Sequence, residues 1–182
     1  MLFIEIARML IETAAALLGV TLLLRAYMNW LGMPARNPLA QFVLALTDWL
    51  VVPLRKMVPA VGRVDSASVI GAYLTAVLQL VLIFLLIGAG VADWPWLKVL
   101  SLSVVQLLRW ALYLVMWMTI IHVILSWVNP YAPVAPALAM LVRPFLAPFQ
   151  RIVPLIGGVD LSPVLLIVIV NVLLLVFARA GL

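Results

Sequence analysis

Pro53-Leu-Arg-Lys-Met-Val-Pro59-Ala-Val-Gly62-Arg-Val-Asp65 and, 95 residues later, Pro148-Phe-Gln-Arg-Ile-Val-Pro154-Leu-Ile-Gly157-Gly-Val-Asp160 decide how this chain is built. Both read Pro-x5-Pro-x2-Gly-x2-Asp without a gap. Lys56 falls on Arg151, and Val58, Val64 and Val69 fall on Val153, Val159 and Val164. Farther on, Val77 and Leu78 meet Val172 and Leu173 at the same offset. Upstream, Trp30 meets Trp127 and Arg25 meets His122 at an offset of 97, so one copy has two more loop residues. Self-similarity at a fixed period marks a tandem duplication.

The medium follows from composition. Of 182 residues, 68% are apolar and 9% charged, against about 25% charged in an ordinary soluble domain. A mean hydropathy of +1.32 means that the apolar surplus faces lipid. The length suits one membrane unit with no soluble domain appended. With no cysteine, disulfides, thiolate zinc sites, iron–sulfur clusters and cysteine nucleophiles are excluded. The net charge of +5 comes from basic residues placed singly around apolar segments. That pattern fits the positive-inside bias of membrane proteins and not direct nucleic-acid binding. The first residues lack a cationic start and carry Glu5 and Glu12, so a retained helix is expected rather than a cleaved signal.

At about 20 residues per span, spans are predicted over 6–31, 67–90, 99–128 and 163–178. Two pieces between them, 39–52 and 135–147, read as too short to cross, each closed by a proline (Pro53, Pro148), and suit an interfacial or re-entrant helix. The predicted fold is therefore an all-α membrane protein with four transmembrane helices in two parallel tandem repeats, 1–92 and 93–182. Each repeat holds one short interfacial or re-entrant helix between its two spans. A two-span unit returns the chain to its starting side, so both copies enter the bilayer in the same direction. Arg36, Arg55, Lys56, Arg63, Arg143 and Arg151 then share one face, against Arg8, Lys98 and Arg179 on the other. This bias predicts cytoplasmic large loops and periplasmic termini.

In the shared motif, Pro59 and Pro154 stiffen a turn, and Gly62 and Gly157 permit positive φ. Asp65 and Asp160, with Ser66 or with Ser162 before Pro163, can cap the next span. The alternative is that the two aspartates form cross-repeat ion pairs, or a polar partner site with Lys56 and Arg151. Arg25 is expected to snorkel to the interface and His122 to be an ordinary hydrogen-bonded helix residue. Their matching positions also allow a polar contact near the pseudo-axis. Gln79 and Asn171, far from any loop, are expected to bond across helices. One histidine excludes a two-histidine clamp within a chain. With no phosphate loop, no paired carboxylates and no Ser/His/Asp set, neither an enzyme nor any catalytic, cofactor or metal site is expected.

Arg143-Pro-Phe-Leu-Ala-Pro-Phe-Gln-Arg-Ile-Val-Pro-Leu-Ile-Gly-Gly-Val-Asp-Leu-Ser-Pro163 resembles the signature of the YggT (YlmG-like) membrane proteins. The resemblance covers residues 10–178 or so and is to the duplicated proteobacterial form; single-copy relatives occur in other bacteria and in plastids. Copy one departs from it, with Arg63 where copy two has Gly158 and Ala67-Ser68 in place of Ser162-Pro163. The resemblance implies a multi-pass protein of the bacterial inner membrane, tied to membrane organisation, osmotic stress tolerance or cell division. Plastid relatives are tied to cytochrome maturation and nucleoid arrangement.

Two functions are compatible with these features. One is an assembly or organising factor whose basic face meets anionic headgroups and a membrane protein partner, with homo-oligomers allowed. The other is a small oligomeric ion or solute transporter or channel. A pore needs rings of charge, aligned carbonyls or a continuous polar stripe, which favours the first.

Overall fold

The computed structural model describes residues 2–59, 62–88, 95–152 and 160–180. The order is α1 (Leu2–Trp30), α2 (Pro38–Met57), α3 (Ser66–Leu86), α4 (Trp96–Val128), α5 (Ala135–Gln150) and α6 (Ser162–Ala180). All but α5 are long and apolar enough to cross a bilayer by length and composition. Large apolar side chains stand outward along them, among them Phe3, Leu97, Trp127 and Val128. Such an exterior is stable only against hydrocarbon, and the chain is a helical membrane protein.

Three boundaries correct the sequence-based expectation. The segment after Pro38 is a 20-residue helix that runs through Pro53 to Met57, long enough to span. It begins at Asn37, whose side chain accepts the Leu39 N–H at 2.9 Å, with Pro38 at the first helical position, where no N–H is needed. Likewise α5 runs through Pro144 and Pro148 to Gln150. A proline inside a helix removes one ladder bond and costs about 3 kcal/mol. Here the turn beyond each proline is tied to the next helix, through Arg55 in α2 and Gln150 in α5. Third, α3 stops at Leu86, short of 90, because Gly88 takes a φ of +78° that ends the helical path. At 33 residues, α4 is about 50 Å long and exceeds the roughly 30 Å hydrocarbon core.

Helices α1 and α3 run antiparallel and close together. The stripe Ala67, Ser68, Gly71, Ala72, Thr75 and Ala76 of α3 is buried, and Leu22 of α1 is fully enclosed against it. Small side chains let two backbones approach. The matching α6 positions are Ser162, Pro163, Leu166, Ile167, Val170 and Asn171, of which Leu166, Ile167 and Asn171 are much bulkier than their counterparts. Between α4, α5 and the start of α6 the described residues enclose a cleft of about 550 Å³.

The halves join on one core. Met28, Val43, Leu114, Met118, Leu141, Val142, Leu166 and Val170 meet there, drawn from α1, α2, α4, α5 and α6. Gly19 of α1 lies against the buried Trp110 ring of α4. Tyr27 Oη donates to the Leu141 carbonyl at 2.7 Å, tying the end of α1 to α5. The Tyr27 ring also packs on Phe145, centroids 5.5 Å apart.

Candidate functional site

Arg25 sits five residues before the end of α1 and is 4% exposed. Its Nη1 donates to Thr47 Oγ1 at 2.7 Å and to Asp48 Oδ1 at 2.8 Å, both in α2, and its Nε stands 3.5 Å from Asp65 Oδ2. Arg55, two helical turns beyond Asp48, grips the same carboxylate from the other side, Nη2 to Oδ2 at 2.6 Å and Nε to Oδ1 at 3.3 Å. Ser68 Oγ adds a third donor at 2.7 Å. Two guanidinium and two carboxylate groups thus form a closed, formally neutral cluster that joins the end of α1, the body of α2 and the start of α3. A buried charge is tolerated only when paired in this way.

Several expectations are corrected by this geometry. Arg25 does not snorkel to the interface; Asp48 and Asp65 hold it inside. Asp65 pairs with Arg55 and not Lys56, because successive residues point about 100° apart around a helix, and Lys56 is left exposed. The pairing is within one half, so it is no cross-repeat ion pair. Asp65 makes no side-chain cap on α3. Instead Ser66 Oγ donates to the Pro59 carbonyl at 2.6 Å, closing the turn in which Gly62 has its expected positive φ, +61°.

The second half repeats the outline with weaker partners. Gln150, at the Arg55 position, donates Nε2 to Asp160 Oδ2 at 2.8 Å, while Arg151 is exposed. Asp160 Oδ1 accepts the Ser162 N–H at 2.8 Å, so this aspartate does cap the start of α6, where Pro163 follows. Ser162 Oγ is buried without a hydrogen-bond partner among the described residues. His122, where copy one has Arg25, is part-buried and lines the cleft with Gln150 and Asp160. It makes no hydrogen bond to a described residue, contrary to expectation, and shares no contact with Arg25. Pro154 and Gly157 lie outside the described residues. Asn171 bonds within its own helix, to the Ile167 carbonyl at 2.9 Å, and Gln79 Oε1 is buried and unbonded. Among the described residues no group of three His, Asp or Glu side chains could hold a metal ion.

Burial pushes the Asp65 carboxyl up, but hydrogen bonds from Arg55 and Ser68, with the charges of Arg55 and Arg25, outweigh it and hold it below the usual carboxylate range. The folded group therefore gives up its proton more readily than the unfolded one. Its contribution to stability is complete above the unfolded value near 4 and disappears as pH falls through the lower folded value. Thermal midpoints of the purified protein in detergent are expected to be flat from pH 7 to 5 and to drop below pH 4. A variant with Asp65 replaced by asparagine should lose most of that acid dependence.

Thr47, Asp48, Arg55 and Ser68 belong to the cluster although none of them stands out in the motif; the one signal that could have found two of them is the spacing of Gln41, Asp48 and Arg55 at intervals of seven. That interval puts the last two on one face of α2, and Arg25, inside the preceding span, is the natural partner of Asp48.

The fold and cluster define a helical membrane protein. The sequence model of the CCB3/YggT family matches residues 4–86 and 101–180, and the chain belongs to this family. It is 33% identical over 165 residues to "Uncharacterized protein YggT" of Escherichia coli (strain K12), covering 90% of this chain and 85% of that protein. It is 34% identical over 160 residues to "Uncharacterized protein in proC 3'region" of Vibrio alginolyticus, covering 87% and 86%. A Haemophilus influenzae protein is 27% identical over 152 residues, covering 83% and 80%. No solved structure matches the chain.

Proposed function

We propose that the protein is a non-enzymatic organising factor of the bacterial inner membrane, built from two repeats that each cross the bilayer twice. Its cytoplasmic face would present basic turns to anionic headgroups and to a membrane protein partner. The observation that carries this is the closed Arg25–Asp48–Asp65–Arg55 cluster, which uses the buried charge of the first half for structure and leaves none to line a path.

The same cluster supports four spans rather than five. Arg25 at the end of α1 meets Asp65 at the start of α3, so these two ends lie at one level. Helix α2 leaves that level at Pro38 and is back at it by Arg55, which also touches Asp65. A crossing helix would carry its far end about 30 Å away. In the second half, α5 has 16 residues, about 24 Å of helix, and Gln150 at its end touches Asp160 before α6. With both connecting helices on one side, exposed Arg36, Lys56, Arg63, Arg143 and Arg151 gather there. Each basic side chain near an anionic surface contributes about 1 kcal/mol, and the positive-inside bias makes this face cytoplasmic.

Crosslinking in native membranes followed by mass spectrometry tests the role: a reproducible membrane protein neighbour contacting the α2 and α5 side is expected. Purified protein in liposomes is expected to conduct neither ions nor small solutes. Flux abolished by changing Gln79 or Asn171 would favour the transporter reading and overturn this one.

A further inference from the structure

The cleft of about 550 Å³ between α4, α5 and α6 has two kinds of wall. Ile120, Val123 and Ile124 of α4 and Val164 and Ile167 of α6 make it apolar toward the middle of the helices. His122, Ser126, Gln150 and Asp160 make it polar at the loop end. Its volume is in the range of sites that enclose small ligands. In the first half the matching carboxylate, Asp65, is neutralised by Arg25 and Arg55. In the second half these positions are His122 and Gln150, and among the described residues no cation comes within 4 Å of Asp160. The neighbouring segment 153–159 contains none in its sequence. Hydrogen bonds from Ser162 and Gln150 outweigh the effect of burial and keep Asp160 ionised at neutral pH.

We infer that this cleft binds a phospholipid with a primary-amine headgroup of the ethanolamine type, its ammonium on Asp160 and the upper part of its acyl chains along α4 and α6. The occupant must be cationic at one end and apolar at the other, and must enter from the bilayer that the exposed Ile124 and Val164 face. A primary ammonium supplies both the charge that Arg25 and Arg55 bring to Asp65 and the N–H donors that Arg55 brings. A trimethylated ammonium has charge but no N–H, and an anionic headgroup would be repelled by Asp160. The inference requires that α4 and α6 border lipid, not that the protein has the organising role proposed above.

The test uses the full chain in nanodiscs of mixed phosphatidylcholine, phosphatidylglycerol and phosphatidylethanolamine, with retained lipid read by native mass spectrometry. Phosphatidylethanolamine should be retained about tenfold over phosphatidylcholine, the ratio that one charge-assisted hydrogen bond supports. Asp160→Asn should bring this ratio close to one, whereas Glu5→Gln, at the far end of α1, should leave it intact. Should Asp160→Asn misfold, a headgroup series on the unaltered protein serves instead: retention should fall stepwise from ethanolamine through its mono- and dimethyl forms to choline. No preference in that series overturns the inference. So does preferential retention of phosphatidylglycerol, which would assign lipid binding to the basic turns, or the finding of a co-purified peptide crosslinked at the cleft through a lysine or arginine.

Discussion

Asp65→Ala is expected to destabilise the purified protein by about 3 kcal/mol, the lower end of the cost of breaking a buried ion pair. The carboxylate is fully buried and answers two guanidinium groups. Its loss leaves buried Arg25 with the half-exposed Asp48 as its remaining counter-ion, beside the neutral Thr47 hydroxyl, and frees Arg55, which is 47% exposed and can turn to solvent. Asp160→Ala should cost no more than about 1 kcal/mol, because it removes hydrogen bonds to a neutral amide and a backbone N–H without stranding a charge. An Arg25→Leu/Asp65→Leu double variant should be more stable than either single variant, since an apolar pair can replace a buried ion pair that a half pair cannot. Unfolding in detergent, followed by tryptophan fluorescence, checks each of these variants.

Gly19→Val is expected to cost about 3 kcal/mol, at the upper end of overpacking. A Cβ on Gly19 would run into the Trp110 ring, which is 2% exposed and has no room to withdraw. This is where α1 meets α4, so the variant should loosen the two halves against each other rather than melt either. Trp110→Ala on the same chain should recover part of the loss. Gly71→Ala is the control, since its Cβ would meet Leu54 Cδ1 at an ordinary 3.4 Å. There the change should be within about 1 kcal/mol, offset by the better helix propensity of alanine.

How much of this could be seen beforehand depends on which residues carry local information. The repeat located Asp65, Asp160, Gly62 and the long apolar helices, because proline, glycine and unbroken hydrophobicity act through their own backbone or through the solvent. Arg25 and His122 stood out as ionisable groups inside spans, but their surroundings did not. Arg25 is held by Thr47, Asp48 and Asp65, which are 22 to 40 positions away, and only the fold brings them into reach. Pro53 and Pro148 misled in the other direction, since a proline ends a helix only where no tertiary contact holds the following turn. The difference between the tight α1–α3 pair and the open α4–α6 pair was written in the sequence, as Gly71, Ala72 and Ala76 against Leu166, Ile167 and Asn171. It is legible only once the helices are known to face one another.

The central claim is that α1–α3 and α4–α6 enter the membrane alike and keep their connecting helices on one side. Because the chain has no cysteine, single cysteines can be placed without background. They belong at the exposed positions 36, 63 and 151 on one side, and 5 and 98 on the other. Labelling with a membrane-impermeant maleimide, in intact cells and in inverted vesicles, should group 36, 63 and 151 together on the cytoplasmic side and 5 and 98 together outside. Finding 36 and 63 on opposite sides would mean that α2 crosses the bilayer, and finding 63 and 151 on opposite sides would mean that the halves are inverted. Either result would contradict the architecture.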